Sequence, residues 1–192
     1  MTAPTLLLVL LNFGFIAVLP AVFFKKGGRF NLRWWLTAAP LFVTVALLLM
    51  DFFGLVPALT RVWLLPAGPL ELAAGGSAVA SIALIAFTLG SHRGPVSLWH
   101  QERNLPEGLV IWGAYRRIRH PFYAAFFLAL LGGFLAGPQP GTLVTLVWGF
   151  LSLNYTAVGE ERQLLASPFG PEYQQYMQST GRFWPRLARK GA

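Results

Sequence analysis

The chain has 192 residues, 55% of them hydrophobic and 11% charged, with a mean hydropathy of +0.56. Soluble domains carry about 25% charged residues, so this composition excludes an ordinary soluble domain and predicts one integral membrane domain over residues 1–192. The formal charge of +8 sits between apolar spans rather than in a groove interleaved with aromatic residues, which favours orientation and anionic lipid over nucleic acid.

Five apolar spans are predicted in chain order, at about 6–24, 34–59, 72–90, 121–136 and 141–158. The first lacks a charged segment ahead of it and is followed by Lys25 and Lys26, the pattern of a retained span with its N-terminus outside. Basic residues fix the orientation. Lys25, Lys26, Arg29 and Arg33 follow span one. Arg93, Arg103, Arg116, Arg117 and Arg119 lie between spans three and four. Arg162, Arg182, Arg186, Arg189 and Lys190 lie in the tail, and the other two connections hold Arg61 alone. The positive-inside rule then puts the tail in the cytoplasm. The fold expected is an all-α polytopic bundle of about five transmembrane helices, in a membrane of the prokaryotic inner-membrane kind.

Asp51 and Glu71 near the outer ends of spans two and three read as interfacial charges, snorkelling or paired with Arg61, rather than as functional acids. Ala74, Ala78 and their neighbours Gly75 and Ser81 give span three a small-residue face suited to close helix packing. The segment Ser91 to Arg119 is too long for a plain turn. Its part from Glu107 to Tyr115 is mixed enough to fold back on the bundle, with Trp99 and Trp112 as interfacial anchors.

Pro121 is placed to start a helix, with His120 beside the cap; the positive dipole end there favours an anionic group. Gly137-Pro138-Gln139-Pro140-Gly141 is a tight turn that makes spans four and five an antiparallel hairpin. The inner end of span five, Ala157 to Glu161, is thereby predicted to meet His120 to Tyr123. Ser167-Pro168-Phe169-Gly170-Pro171 then breaks the helix, and Pro171 opens a last one with Tyr173, Tyr176 and Met177 on one face. This is a cytoplasmic helical flap, after which Phe183-Trp184-Pro185 returns aromatic surface to the interface.

A Glu facing a helix N-terminus, a His, two Tyr and an Arg suits a zwitterion, its carboxylate at the helix start and its ammonium at Glu161. Aromatic rings tolerate a neighbouring cation. S-adenosylmethionine carries this set of groups; a structural Glu–Arg ion pair at the membrane surface is the other reading.

Gly113-Ala114-Tyr115, Arg119-His120-Pro121-x-Tyr123, Glu160-Glu161-x-x-Leu164 and Phe169-Gly170-x-x-Tyr173-x-x-Tyr176 together resemble the isoprenylcysteine carboxyl methyltransferase family and the related phospholipid methyltransferases, over about Glu107 to Pro185. The resemblance implies S-adenosylmethionine-dependent methyl transfer to a lipophilic acceptor, with the cofactor part at about 100–185. By position, cofactor contacts fall on Glu107, Gly108, Leu109, Val110, Tyr115, His120, Pro121, Phe122, Tyr123 and Glu161, with His100 upstream. Arg119 is the candidate for steering or polarising the acceptor, or for holding the loop to headgroups. The family places an Arg for the acceptor one turn before the second Glu, where this chain has Ala157, with Asn154 and Tyr155 nearby. A carboxylate acceptor would lack that partner unless another Arg replaces it, which leaves a phospholipid amine, a thiol or another apolar molecule open.

Two other readings compete. The NADPH-dependent sterol reductases look similar around His-Pro-x-Tyr but usually carry more spans. A non-catalytic membrane partner would bind no cofactor. His92, His100 and His120 are too few and too widely spaced for a histidine-clustered iron enzyme, and no metal site is expected.

Overall fold

A computed structural model describes residues 1–18, 24–25, 29–30, 32–55, 66–91 and 109–186. The elements are α1 (Ala3–Val18), β1 (Phe24–Lys25), β2 (Arg29–Phe30), α2 (Leu32–Phe52), α3 (Ala67–Gly90), a 3-10 turn (Gly113–Arg116), α4 (Pro121–Ala136), α5 (Pro140–Leu165) and α6 (Gly170–Ser179). Apart from the two-residue antiparallel ladder of β1 and β2, the described structure is all-helical. Three helices, α2, α3 and α5, are long and apolar enough to cross a membrane; α1 and α4 are shorter apolar helices.

Several helix ends depart from the expected spans, among them the inner end of α5, at Leu165 rather than 158, and two of the departures have a visible local reason. Span two was expected to run to residue 59, but α2 stops at Phe52. Gly54 adopts a left-handed φ of 71°, its N–H bonds Asp51 O at 3.1 Å, and Leu55 N–H bonds Met50 O at 2.8 Å. This pair of bonds is a Schellman stop. Helix α3 starts five residues before the expected Leu72, at Ala67, because Pro69 in its first turn gives up only an N–H that would be unpaired anyway. The expected end of span one, residue 24, falls in β1 rather than in α1.

Helices α3 and α4 form the most extensive pairing. Ala74, Ala78 and Ser81 are buried there, and a Cβ on Gly132 would meet Ala74 O at 3.2 Å. The small face of α3 is therefore a packing face. Ser81 Oγ spans the seam, 2.8 Å from Ala125 O and 3.1 Å from Asn12 Oδ1. On the other side of α4, Thr44 of α2 and Thr145 of α5 share a hydrogen bond of 2.7 Å. Away from water such bonds satisfy hydroxyls that would otherwise be costly to bury. Glu71 is held by the start of α1, accepting from Thr2 N–H at 3.0 Å and from the Thr2 hydroxyl at 2.9 Å. Its expected partner Arg61 lies outside the described residues.

Helices α4 and α5 form the predicted hairpin. Pro140 occupies the first turn of α5, Gln139 is its N-cap, and Thr142 Oγ1 accepts from Gln139 N–H at 3.2 Å in a capping box. This places the start of α4 beside the last turns of α5. Residues ahead of α4 fold back on α3: the Trp112 indole N–H donates to Ser91 O at 2.8 Å, and Ala114 N–H donates to Ser91 Oγ at 3.1 Å. Gly113, at φ +60°, lets the chain approach, since a Cβ there would overlap the Ser91 side chain. Trp99 lies outside the described residues.

Candidate functional site

Pro121 begins α4, and no side chain caps that helix start. The residues just before it are held in place by a distant segment. Arg119 N–H bonds Gly181 O at 2.9 Å, His120 N–H bonds Arg182 O at 3.0 Å, and Gly181 N–H bonds Arg117 O at 3.2 Å. This short parallel pairing lays residues 180–183 over the open side of the corner between α4 and α5. A Cβ on Gly181 would overlap Trp184 O, so the tight bend needs glycine.

Five polar side chains converge beneath that strap. Tyr123 Oη donates to Glu160 Oε1 at 2.6 Å. Arg119 Nε donates to Glu161 Oε1 at 2.9 Å, and its outer nitrogen reaches Thr180 O at 2.5 Å. The His120 ring lies between the two carboxylates, Nδ1 3.5 Å from Glu160 Oε2 and Nε2 3.4 Å from Glu161 Oε1. Nε2 is buried without an aligned hydrogen bond, so the 3.4 Å approach is a close contact and not a formed bond. Tyr123 and His120 stack, with centroids 5.2 Å apart and planes 3° apart.

A third arm completes the network. Arg182 Nη2 donates to Glu161 Oε2 at 2.6 Å, Nε to Oε1 at 3.2 Å, and Nη1 to Asn154 Oδ1 at 2.8 Å. Asn154, Ala157 and Glu161 share one face of α5, at spacings of three and four. The guanidinium therefore bridges two positions that flank the buried Ala157 on that face. Beside it runs an aromatic row. Phe183 packs on Phe150 at 6.0 Å, Phe150 on Phe127 at 5.4 Å, and Phe127 on Trp184 at 5.4 Å. Phe183 is buried, edge-on to His120, while Trp184 is half exposed. Only the second of these expected interfacial aromatics faces outward.

Helix α6 closes the other side. Tyr176 Oη donates to Tyr115 O at 2.5 Å, and Tyr173 is buried. Burial pushes the Tyr176 phenol up to about 12, against the opposing influence of Arg119. Burial also raises Tyr115 and Tyr173, with nearby negative groups adding to it. All three stay protonated near neutral pH and serve in packing, with Tyr176 as a donor, and not as bases.

Arg119, His120, Pro121, Tyr123 and Glu161 thus meet at one corner, with Phe122 half-buried beside them and Tyr115 joined through Tyr176. Leu109 and Val110 lie on the irregular approach to the 3-10 turn. His100, Glu107 and Gly108 fall outside the described residues. Three side chains absent from the expected contacts, Glu160, Asn154 and Arg182, complete it. Arg182 follows α6 in a segment without periodicity, and only the pairing of Ile118 with Gly181 brings it back.

No family model and no solved structure matches the chain. Over 78 residues, 39% of its length, it is 38% identical to the Protein-S-isoprenylcysteine O-methyltransferase of Schizosaccharomyces pombe. The match spans 32% of that relative, about a third of its length.

Proposed function

We propose that this chain transfers a methyl group from S-adenosylmethionine to a lipophilic acceptor at the cytoplasmic face of a membrane, with about five membrane helices and the N-terminus outside. The observation that carries the reading is the meeting of Arg119-His120-Pro121-x-Tyr123 with Glu160-Glu161 at one buried corner, at 2.6 and 2.9 Å. The similarity to a named isoprenylcysteine O-methyltransferase supports the same reading.

The residues present fit such a cofactor. Glu160 and Glu161 offer carboxylates to an ammonium, and the uncapped start of α4 offers its dipole to a carboxylate. His120 Nε2 is a buried polar atom still without an aligned partner. When bound, the cofactor supplies an electrophilic methyl carbon open to direct displacement. The protein's part is alignment and exclusion of water. Arg119, buried and held by backbone carbonyls, fixes the Glu161 carboxylate. Tyr123 fixes Glu160 and stacks on His120. The α6 flap and the strap at 180–183 cover the corner, and the aromatic row gives an apolar acceptor a surface to lie on.

Calorimetric titration of the purified protein with S-adenosylhomocysteine tests this. Glu161→Gln and Tyr123→Phe are expected to weaken binding while the helical content is kept. Unchanged affinity in both variants, or binding of NADPH in place of S-adenosylhomocysteine, would overturn the assignment.

A further inference from the structure

The two guanidinium groups on Glu161 are not equivalent. The Arg119 side chain is 9% exposed and is anchored a second time on the carbonyls of Thr180 and Met177. The Arg182 side chain is 30% exposed, and its other hydrogen bond goes to the Asn154 amide oxygen. Between them the two Arg residues occupy both oxygens of Glu161. An ammonium brought to Glu161 must displace one of them, since like charges at hydrogen-bond distance repel. Arg182 holds Glu161 by two bonds against one from Arg119, but it has fewer anchors outside Glu161 and more water, and it belongs to the segment that carries Phe183 and Trp184.

We infer that Arg182 is a displaceable counter-ion of Glu161, which yields to a ligand ammonium and then receives the oxyanion of an amphiphile lying along the Phe183–Phe150–Phe127–Trp184 row. This rests on the proposed methyl-donor site. Arg182 has spare N–H groups for such a partner, because a guanidinium carries five donors and three are used here. Asn154 is its positioning residue, holding Nη1 so that the group pivots rather than leaves. Ala157, fully buried, lies on α5 between the two residues that Arg182 bridges, Asn154 and Glu161.

The consequence is positive coupling. An oxyanion that draws Arg182 away frees Glu161 for the ammonium, and by reciprocity an ammonium on Glu161 frees Arg182 for the oxyanion. Without an oxyanion, Arg182 is a competitor of the methyl donor.

The test titrates S-adenosylhomocysteine into the purified full chain in neutral maltoside detergent, alone, with dodecyl phosphate and with dodecanoate. For the wild type, one of the two anionic amphiphiles is expected to tighten binding about tenfold, an ordinary size for coupling between sites. Which of them does so distinguishes a phosphate from a carboxylate head. Arg182→Gln is expected to bind more tightly than wild type without amphiphile and to show no response to either one. Arg182→Lys, which keeps the charge should the Gln variant unfold, is expected to retain a smaller response of the same sign. Weaker binding by a folded Arg182→Gln, a response that survives it, or a wild type indifferent to both amphiphiles would overturn the inference. Failure of the wild type to bind S-adenosylhomocysteine at all would instead overturn the methyl-donor reading beneath it.

Discussion

Tyr123 and Glu160 are 37 positions apart and joined by a hydrogen bond of 2.6 Å. One stands in the first turn of α4 and the other in the last turns of α5, so the bond clasps the open end of a hairpin whose closed end is the Gly137–Pro140 turn. Bonds to a charged acceptor are worth about 1.5–3 kcal/mol. Tyr123→Phe is expected to lower stability by about that amount and to loosen the corner before the bundle. Thermal unfolding in detergent, with S-adenosylhomocysteine affinity measured beside it, checks both. A stability equal to wild type would show that the clasp adds nothing.

Glu161→Gln removes the charge that two guanidinium groups share. Arg119, with its side chain 9% exposed, is left without its carboxylate. Breaking a buried pair from one side costs on the order of 3–5 kcal/mol. Glu161→Gln is therefore expected to be the more damaging of the two site variants by chemical denaturation, and an Arg119→Met, Glu161→Met double variant should recover part of the loss. No recovery in the double variant would show that the cost is not an uncompensated charge.

Helix α6 has its own pH signature. Tyr176 is neutral in the fold and held up to about 12 by burial. A raised pKa means that its contribution is complete below the unfolded value of about 10 and is lost as pH rises through the folded value. Stability is expected to fall between about pH 10 and 12. Tyr176→Phe should cost about 1 kcal/mol at neutral pH, from the lost bond to Tyr115 O, and should make the alkaline decline shallower. Melting curves from pH 8 to 12 check this; an unchanged alkaline slope would remove Tyr176 as its source.

Packing inside the bundle can be probed at two glycines with opposite surroundings. A Cβ on Gly133 would lie 2.7 Å from the Thr44 methyl and 3.1 Å from the Phe13 ring, both fully buried. Gly133→Ala is expected to cost about 1–3 kcal/mol through overpacking where α1, α2 and α4 meet. Nothing lies within 4 Å of a Cβ on Gly76. Gly76→Ala is expected to be neutral or mildly stabilising. Equal effects at both positions, read from thermal midpoints, would contradict this arrangement of helices.

How much of this was legible in the sequence follows from where the punctuation lies. Helix α4 runs Pro121–Ala136, as read, because proline opens it and Gly137-Pro138 closes it. The hairpin and the meeting of its ends followed from the same turn. Gly54 carried the stop of α2, but it sits in a mostly apolar stretch, where hydropathy outweighs a single glycine. Arg182 was the residue hardest to foresee. Its position depends on main-chain bonds to residues 117–120, and pairing between distant segments leaves no periodicity to read.

Those same main-chain bonds fix when the corner can exist. Residues 180–183 come after every apolar helix in chain order, so the bundle can be inserted and packed before the last guanidinium arrives. A nascent chain halted at the end of α5 would hold Glu161 with one counter-ion and no cover. The corner is then complete only once residues 180–183 have been made, a late event of synthesis.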